Sequence, residues 1–237
     1  MLEVLVRTRP AVVSFHFGVP TAQQIDTLHG AGCLLMATAT NPAEARAIEA
    51  AGIDIIVAQG YEAGGHRGIF DPSIPDPALG TFALVRLLAK AVRIPVVAAG
   101  GIMDGQGIAA SLRLGASGAQ MGTAFLACPE AQTSQHYRAL LAQPDLGTAV
   151  TATISGRPAR GIINHFVKEI DTPEHPPVPD YPIAYDAAKA LHAAASSKGL
   201  DDYSVNWAGQ AYALARPMPA AQLVALLAEE MRSAHEA

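Results

Sequence analysis

A histidine follows a pair of glycines in a loop that comes directly after an apolar run. Residues 57–68 read VAQGYEAGGHRG, so that Gly64 and Gly65 immediately precede His66. Glycine lets backbone amides come close to a ligand because it carries no Cβ, and an imidazole exchanges protons near neutral pH. The stretch predicts a ligand-binding loop with His66 as its proton-transferring group. A glycine-rich surface turn with an incidental histidine would have the same pattern.

Two further segments combine glycine with the end of an apolar run. Gly100 and Gly101 follow one run, and Gly122 and Thr123 end the next. Glycine amides, a threonine hydroxyl and a nearby helix N-terminus together can hold an anion such as phosphate. The recurrence on consecutive segments favours a phosphate site over a plain tight turn, although either segment alone is typical of both.

Tyr181, Tyr185 and Lys189 recur at intervals of four residues. On a helix they would share one face. Taken alone, this spacing favours an amphipathic helix whose lysine extends along the apolar surface. His16 lies between two phenylalanines at the end of an apolar run, a position more typical of a core histidine with its hydrogen bonds satisfied.

Short apolar runs alternate with helical patterns, which predicts βα units around a parallel sheet. Helix start signals stand before two of the helices. Thr21 with Gln24 forms a capping box, and Asn41 is an N-cap with Glu44 completing a second box. The predicted strands are residues 12–17, 33–38, 54–58, 96–99 and 119–123.

Five strands are too few to close a barrel of this type, which needs eight. An open sheet would leave strands 12–17 and 119–123 at its edges, and neither carries the charges that usually protect an edge. We therefore expect further strands to have been removed or to be supplied by another chain. A long loop is predicted from Gln59 to Gly80, and loops of this length are usually functional.

The C-terminal part has a different character. Residues 130–142 have a helical pattern, and five prolines in residues 171–182 predict an extended segment. Helical patterns return at about 182–197 and 219–234. We interpret this part as a helical cap, and Arg157 and Arg160 as structural residues that pair with acids or carbonyls.

Composition narrows the class of protein. Half of the 237 residues are hydrophobic, 16% are charged and the net charge is -5, which excludes a disordered chain and favours neither nucleic acid nor an anionic membrane as a partner. No secretory signal or transmembrane run is recognisable. Cys33 and Cys128 lie in apolar runs and are expected to be buried free thiols. We expect a soluble cytoplasmic protein without a metal.

Taken in order, the motifs resemble those of the nitronate monooxygenase family, formerly called 2-nitropropane dioxygenases, which are FMN-dependent (β/α)8 barrels. The resemblance covers the chain from Val12 to its C-terminus, and four motifs carry it. They are VSFHFG at 13–18, QGYEAGGHRG at 59–68, AAGGI at 98–102 and QMGT at 120–123.

The resemblance implies an α/β fold of the TIM-barrel type in one domain, residues 1–237, with about five of eight βα units in residues 12–126 and the helical cap in residues 127–237. It implies a catalytic role for His66 and substrate contacts for His16, Tyr181, Tyr185 and Lys189. The implied FMN contacts are Gln59, Gly64, Gly65, Gly100, Gly101, Gln120, Met121, Gly122 and Thr123.

The implied activity is an oxidoreductase reaction, the FMN-dependent monooxygenation of an alkyl nitronate such as propionate 3-nitronate. With O2 it gives a carbonyl compound and nitrite. His66 would be either a general base toward a nitroalkane or, when protonated, a receptor for the nitronate. Two alternatives remain: an FMN-dependent enoyl reductase of the same barrel superfamily, and a flavin-free or partner-dependent fragment without activity of its own. Homo-oligomer formation is compatible with each.

Overall fold

The computed structural model describes residues 1–236, and the chain divides into two compact units. The first contains Met1–Tyr61, Gly68–Gly100 and Gln106–Gln120, and the second contains Glu62–Arg67, Gly101–Gly105 and the chain from Met121 onward. Each unit has its own sheet. The expectation of a single domain with a C-terminal cap stays a prediction.

The strands of the described chain are β1 (Val12–Phe15), β2 (Leu34–Ala39), β3 (Ile55–Gln59), β4 (Gly65–His66), β5 (Val96–Ala99), β6 (Gly118–Gln120), β7 (Thr148–Thr151) and β8 (Ala159–Ile162). The α-helices are α1 (Leu2–Thr8), α2 (Ala22–Gly30), α3 (Pro42–Ala50), α4 (Thr81–Ala91), α5 (Gly105–Arg113), α6 (Gln135–Leu141), α7 (His165–Ile170), α8 (Ile183–Ser196) and α9 (Ala220–Glu236).

The sheet of the first unit is parallel and has five strands in the order β1-β2-β3-β5-β6. These are the five predicted strands, and β1 and β6 lie at the edges as expected. Central strands of a parallel sheet are buried on both faces and are therefore almost uniformly apolar. Accordingly Leu35, Ala37, Ile56 and Ala58 are fully buried. The alternation of these strands with helices confirms the α/β class.

Helix caps are only partly as predicted. The Thr21 side chain accepts a hydrogen bond from Gln24 N and forms the expected capping box. The Asn41 side chain accepts from Ala43 N and Glu44 N, as an N-cap should. The second box is wrong, however, because the Glu44 carboxylate bonds the N–H and hydroxyl of Thr40 and the backbone N–H of Phe70. Glu44 therefore also stabilises the segment after β3 through its hydrogen bond with Phe70.

The sheet of the second unit is antiparallel, with the order β4-β8-β7, and it was not predicted. The predicted loop from Gln59 to Gly80 is interrupted by β4, in which His66 lies opposite Ala159. A strand of two residues has no detectable alternation of its own. It exists because β8, a distant part of the chain, provides its hydrogen-bonding partner.

The helical patterns of the C-terminal part are confirmed in α6, α8 and α9, whereas α1 and α7 were missed. Two apolar clusters support this unit. One combines Leu140, Leu141, Ile162, Ala208 and Tyr212, and the other contains Ile154, Phe166 and Ala188 with Tyr185 and Trp207 packed against it. The second cluster fixes the position of two aromatic side chains that also lie beside His66.

Both cysteines are buried and free, as predicted. In the described part of the chain, no helix has the length and apolar character required to cross a membrane.

Candidate active site

His66 is held from two sides in the second unit. Its backbone belongs to β4, paired with β8, and the N–H of the next residue, Arg67, donates to Pro158 O at 2.8 Å. Its imidazole Nε2 lies 2.8 Å from Oγ of Ser155. The half-buried ring therefore has a fixed orientation, as a proton-transferring group requires.

Three aromatic rings surround His66. Their centroids lie 5.2 Å (Tyr181), 6.0 Å (Tyr185) and 5.5 Å (Trp207) from the centroid of the imidazole, at interplanar angles between 60° and 76°. Such edge contacts are favourable aromatic geometries. The Trp207 indole N–H donates to the Tyr185 hydroxyl at 3.3 Å. The imidazole thus has a largely apolar surrounding that also presents phenol groups.

Trp207 is itself fixed by a buried tyrosine. The Tyr137 hydroxyl donates to the carbonyl of Trp207. Burial raises the pKa of Tyr137 far above its ordinary value, so the phenol keeps its proton and remains a donor at neutral pH. This bond holds the backbone that presents the indole to His66.

The predicted helical face is wrong at one position. α8 begins at Ile183, so Tyr181 precedes the helix instead of sharing a face with Tyr185 and Lys189. Tyr181 and Tyr185 nevertheless both contact the His66 ring. Lys189 Nζ lies 4.4 Å from the centroid of the Tyr185 ring and 3.6 Å from an oxygen of Asp186. The structure therefore brings together four of the predicted residues in one unit.

A cavity of about 710 Å³ lies beside this group. Tyr185, Lys189 and His192 line it from α8, and residues 131–137, Asp201 and residues 204–206 complete much of the wall. Lys189 is the only lysine or arginine among the lining residues of this described cavity. Its ion pair with Asp186 is exposed, and exposed pairs are weak, so an anionic ligand can compete for the ammonium group.

His16 belongs to the first unit, where it follows β1. Its Nδ1 lies 3.0 Å from the Thr38 hydroxyl, and the side chain is exposed. The interpretation as a core histidine is therefore wrong. A methyl group on Gly68 would come within 2.9 Å of His16 and 2.5 Å of Thr38, so the loop passes very close to both. Gln59 accepts from Gly68 N at 2.7 Å and stabilises this approach.

Glycines around the loop are required for different reasons. A Cβ on Gly64 would lie 2.5 Å from backbone atoms of Ala208 and Gly209, so the close approach of two chain segments explains this residue. Gly65, Gly100 and Gly101 have φ of 76°, 112° and 71°, which disfavours residues with a side chain. These glycines are accounted for by the fold itself.

Gly122 differs from these glycines. Its φ is -113° and a Cβ would meet no atom within 4 Å. Neither the backbone nor the packing of the described chain therefore needs a glycine here, whereas a ligand approaching the backbone would. Thr123 begins a 3₁₀ turn, although it was predicted to end a strand. Its hydroxyl accepts a hydrogen bond from Gly209 N at 3.0 Å, so the hydroxyl hydrogen can still be donated to a ligand. Met121 precedes this pair, and Gln120 ends β6 with an exposed side chain.

Sequence reasoning missed Ser155 and Trp207. Ser155 lies two residues before Arg157, and no sequence pattern links it to a histidine far away in the chain. Arg160, in contrast, donates to the Thr148 hydroxyl at 3.0 Å, which agrees with a structural role. No group of three or more potential metal ligands occurs among the described residues.

A fixed imidazole with aromatic neighbours, and a cavity beside Tyr185 and Lys189, are features typical of a small-molecule site in an α/β protein. Comparison of the sequence with known families identifies the family. Residues 1–230 match the family model described as nitronate monooxygenase. The chain belongs to this family.

Individual relatives agree with the family match. The chain is 57% identical over 237 residues to a nitronate monooxygenase of Paraburkholderia phytofirmans and 54% identical over 233 residues to one of Pseudomonas aeruginosa. These matches cover 100% and 98% of the chain but only 65% and 66% of the relatives. The chain thus spans slightly less than two thirds of their length.

Solved structures support the barrel-type fold. A nitroalkane oxidase from Streptomyces ansochromogenes is similar with a TM-score of 0.93 and 44% identity, covering 99% of this chain and 68% of that one. FabK from Thermotoga maritima matches with a TM-score of 0.78 and 29% identity, over 99% of this chain and 72% of that one. The predicted α/β fold of the TIM-barrel type is thereby confirmed as a class.

Proposed function

We propose that the protein is an FMN-dependent oxidoreductase that converts an alkyl nitronate and O2 to a carbonyl compound and nitrite. The observation that carries the proposal is His66, with its imidazole held by Ser155 and enclosed by Tyr181, Tyr185 and Trp207. Identities of 57% and 54% to nitronate monooxygenases support the same reaction.

FMN fits the residues present at Gly122 and Thr123, and this fit can be tested by substitution. Gly122 leaves space where a Cβ would stand, and Thr123 retains a hydroxyl hydrogen to donate. Both features suit a phosphate group. The proposed FMN contacts are Gln59, Gly64, Gly65, Gly100, Gly101, Gln120, Met121, Gly122 and Thr123. When bound, the flavin would supply the redox chemistry, and the protein supplies orientation and electrostatics.

His66 has two possible tasks in this reaction. With a neutral nitroalkane, the imidazole takes the proton from the carbon that bears the nitro group and generates the nitronate. With a nitronate as substrate, the protonated imidazole receives the negative charge. In both cases the ring must keep one orientation, which the contacts of Ser155 and the three aromatic rings provide.

The ammonium group of Lys189 in the cavity supports a nitronate that carries a second anionic group. Lys189 is the cation among its lining residues, and it stands one helical turn from Tyr185, which contacts His66. A carboxylate bound by Lys189 would place the other end of a short substrate toward the tyrosine. We therefore propose a substrate such as propionate 3-nitronate. The substrate contact of His16 stays a prediction.

The direct test combines two measurements on the protein supplied with FMN. O2 consumption and nitrite release are followed with propionate 3-nitronate and with ethyl nitronate. We expect both signals with both substrates and a lower KM for the carboxylate. A folded, flavin-loaded protein that consumes no O2 and releases no nitrite would overturn the proposed reaction.

A further inference from the structure

Ser155 is fully buried, and its hydroxyl makes three contacts. It donates to the carbonyl of Arg157 at 3.1 Å, it lies 3.5 Å from the N–H of the same residue, and it lies 2.8 Å from Nε2 of His66. A serine hydroxyl has one hydrogen and two lone pairs. The three contacts therefore match its full capacity if the hydrogen goes to Arg157 O and the lone pairs accept from the two nitrogen atoms.

The direction in which the Ser155 hydroxyl donates sets which nitrogen of His66 carries the proton. If the Ser155 hydrogen is used for the Arg157 carbonyl, Nε2 must be the donor in the short contact with Ser155. A neutral imidazole with a proton on Nε2 has its lone pair on Nδ1. The opposite arrangement, with the serine donating to Nε2, would take the hydroxyl hydrogen away from the Arg157 carbonyl.

The support for Ser155 is rigid. It lies in the turn between β7 and β8, where Ser155 N and Gly156 N both donate to Ala152 O, at 3.3 Å and 2.8 Å. Strand β8 then pairs with β4, which contains His66. The two side chains are thus positioned by the same three-stranded sheet, and second partners of this kind set the tautomer of a functional histidine.

We infer that Ser155 is a positioning residue that holds His66 as the Nε2–H tautomer, so that Nδ1 is the atom that accepts the proton from substrate carbon. The proton removed from a nitroalkane passes to Nδ1, and the C–H electron pair remains on the substrate as the nitronate. The Nε2–H bond to Ser155 is kept in the neutral and in the protonated ring. The kinetic consequence rests on the proposed function, but the tautomer does not.

The tautomer can be measured without any assay of activity. Protein labelled with ¹⁵N-histidine is studied by long-range ¹H–¹⁵N correlation, and the His66 signals are assigned by their loss in His66→Asn. We expect a protonated Nε2 and an unprotonated Nδ1 in the unsubstituted protein above the titration of the ring. In Ser155→Ala we expect a mixture of both tautomers, because the acceptor that selects Nε2–H is gone.

A matched control and a kinetic arm complete the test. Ser111 is also buried, and its hydroxyl donates to Gly107 O at 2.8 Å; Ser111→Ala should leave the His66 signals unchanged. In Ser155→Ala we expect kcat with a neutral nitroalkane to fall about 10-fold, less than the 10²-fold or more expected for loss of the base itself, with little change in KM.

The outcomes separate the two proposals. An Nδ1–H tautomer in the unsubstituted protein, or an unchanged tautomer in Ser155→Ala, would overturn the inference about Ser155. The expected tautomers without any turnover of nitroalkane or nitronate would instead overturn the proposed function. If Ser155→Ala does not fold, Ser155→Thr, which keeps the hydroxyl, should preserve the Nε2–H tautomer, and an Nδ1–H ring there would contradict the inference.

Discussion

His66 and Ser155 are 89 residues apart in the chain, yet their side chains form a hydrogen bond of 2.8 Å. The contact joins a glycine-rich loop to the turn of a hairpin that only the three-dimensional structure reveals. Because the serine is fully buried, the bond is protected from competition by water. It fixes the orientation of the imidazole that β4 presents.

Replacement of His66 tests its role as general base. In His66→Asn we expect turnover of a neutral nitroalkane to fall about 10²-fold or more, within the range of lost general-base catalysis. The measurement is nitrite release under saturating substrate. His29→Asn is a suitable control, because His29 forms a hydrogen bond with Asp54 in the first unit. This variant should keep the activity of the unsubstituted protein. Unchanged turnover of His66→Asn would remove His66 from this role.

The parallel sheet was predictable because its strands are buried runs, and each run carries its own signal. Leu35, Ile56 and Ala98 are fully buried, so the apolar character that marks them in the sequence is a direct result of their position. The candidate site was predictable to a smaller extent. His66 was singled out by its type and by the glycines before it. For Tyr185 and Lys189 the spacing alone favoured an amphipathic helix, and only the resemblance implied a substrate contact.

The remaining part of the site depends on pairing between distant segments. β4 has two residues and exists only beside β8, so local periodicity contains no trace of it. Ser155 and Trp207 approach His66 through the same tertiary contacts. Tyr181 had the right spacing for the face of α8, but the helix starts after it, and Tyr181 contacts His66 from the turn that immediately precedes the helix.

Lys189 tests whether the cavity selects an anionic substrate. In Lys189→Met we expect KM for propionate 3-nitronate to rise about 10-fold or more, because loss of one charge-assisted hydrogen bond costs about 1.5–3 kcal/mol. KM for ethyl nitronate should change little. Lys198→Met, with the substituted side chain exposed beyond the end of α8, is the control. Equal changes in KM for both substrates would show that Lys189 does not bind the carboxylate.

Gly122 tests the proposed phosphate end of the FMN site. A methyl group at this position meets no protein atom within 4 Å, so Gly122→Ala should fold normally. We expect its FMN affinity to fall about 10-fold if the phosphate occupies that space, which corresponds to about 1.4 kcal/mol of binding free energy. Retained flavin absorbance after desalting and quenching of flavin fluorescence measure the effect.

The control for this experiment is Gly30→Ala. A Cβ at Gly30 would likewise meet no atom within 4 Å, and its φ is not positive. Gly30 ends α2 and lies outside the four motifs in the sequence. Equal flavin retention in both variants would contradict a phosphate contact at Gly122. A folded, unsubstituted protein that retains no flavin at all would favour the alternative of a partner-dependent chain.

Glu230 on α9 offers a test of stability that is separate from catalysis. Its carboxylate accepts from Arg216 Nη1 at 2.6 Å and from Gly105 N at 2.9 Å. The hydrogen bond from Arg216 lowers the pKa of Glu230 most, and the hydrogen bond from Gly105 lowers it further. Partial burial acts in the opposite direction, but the pKa stays below its ordinary value of 4.5. Because the pKa is lower in the folded than in the unfolded chain, the carboxylate stabilises the folded state at pH values above the pKa of the unfolded chain. This stabilisation is lost as the pH falls through the pKa of the folded chain.

Glu230→Gln should therefore lower the free energy of unfolding by about 1 kcal/mol at pH 7, a value reduced for partial solvent screening. The difference from the unsubstituted protein should shrink as the pH falls below about 4.5, because the native carboxylate becomes protonated there. Urea unfolding at several pH values measures both effects. Glu229→Gln, on the neighbouring residue of the same helix, is the control and should show no comparable loss. A difference that stays constant from pH 7 to pH 3 would mean that the carboxylate charge does not stabilise the contact between Arg216, Glu230 and Gly105.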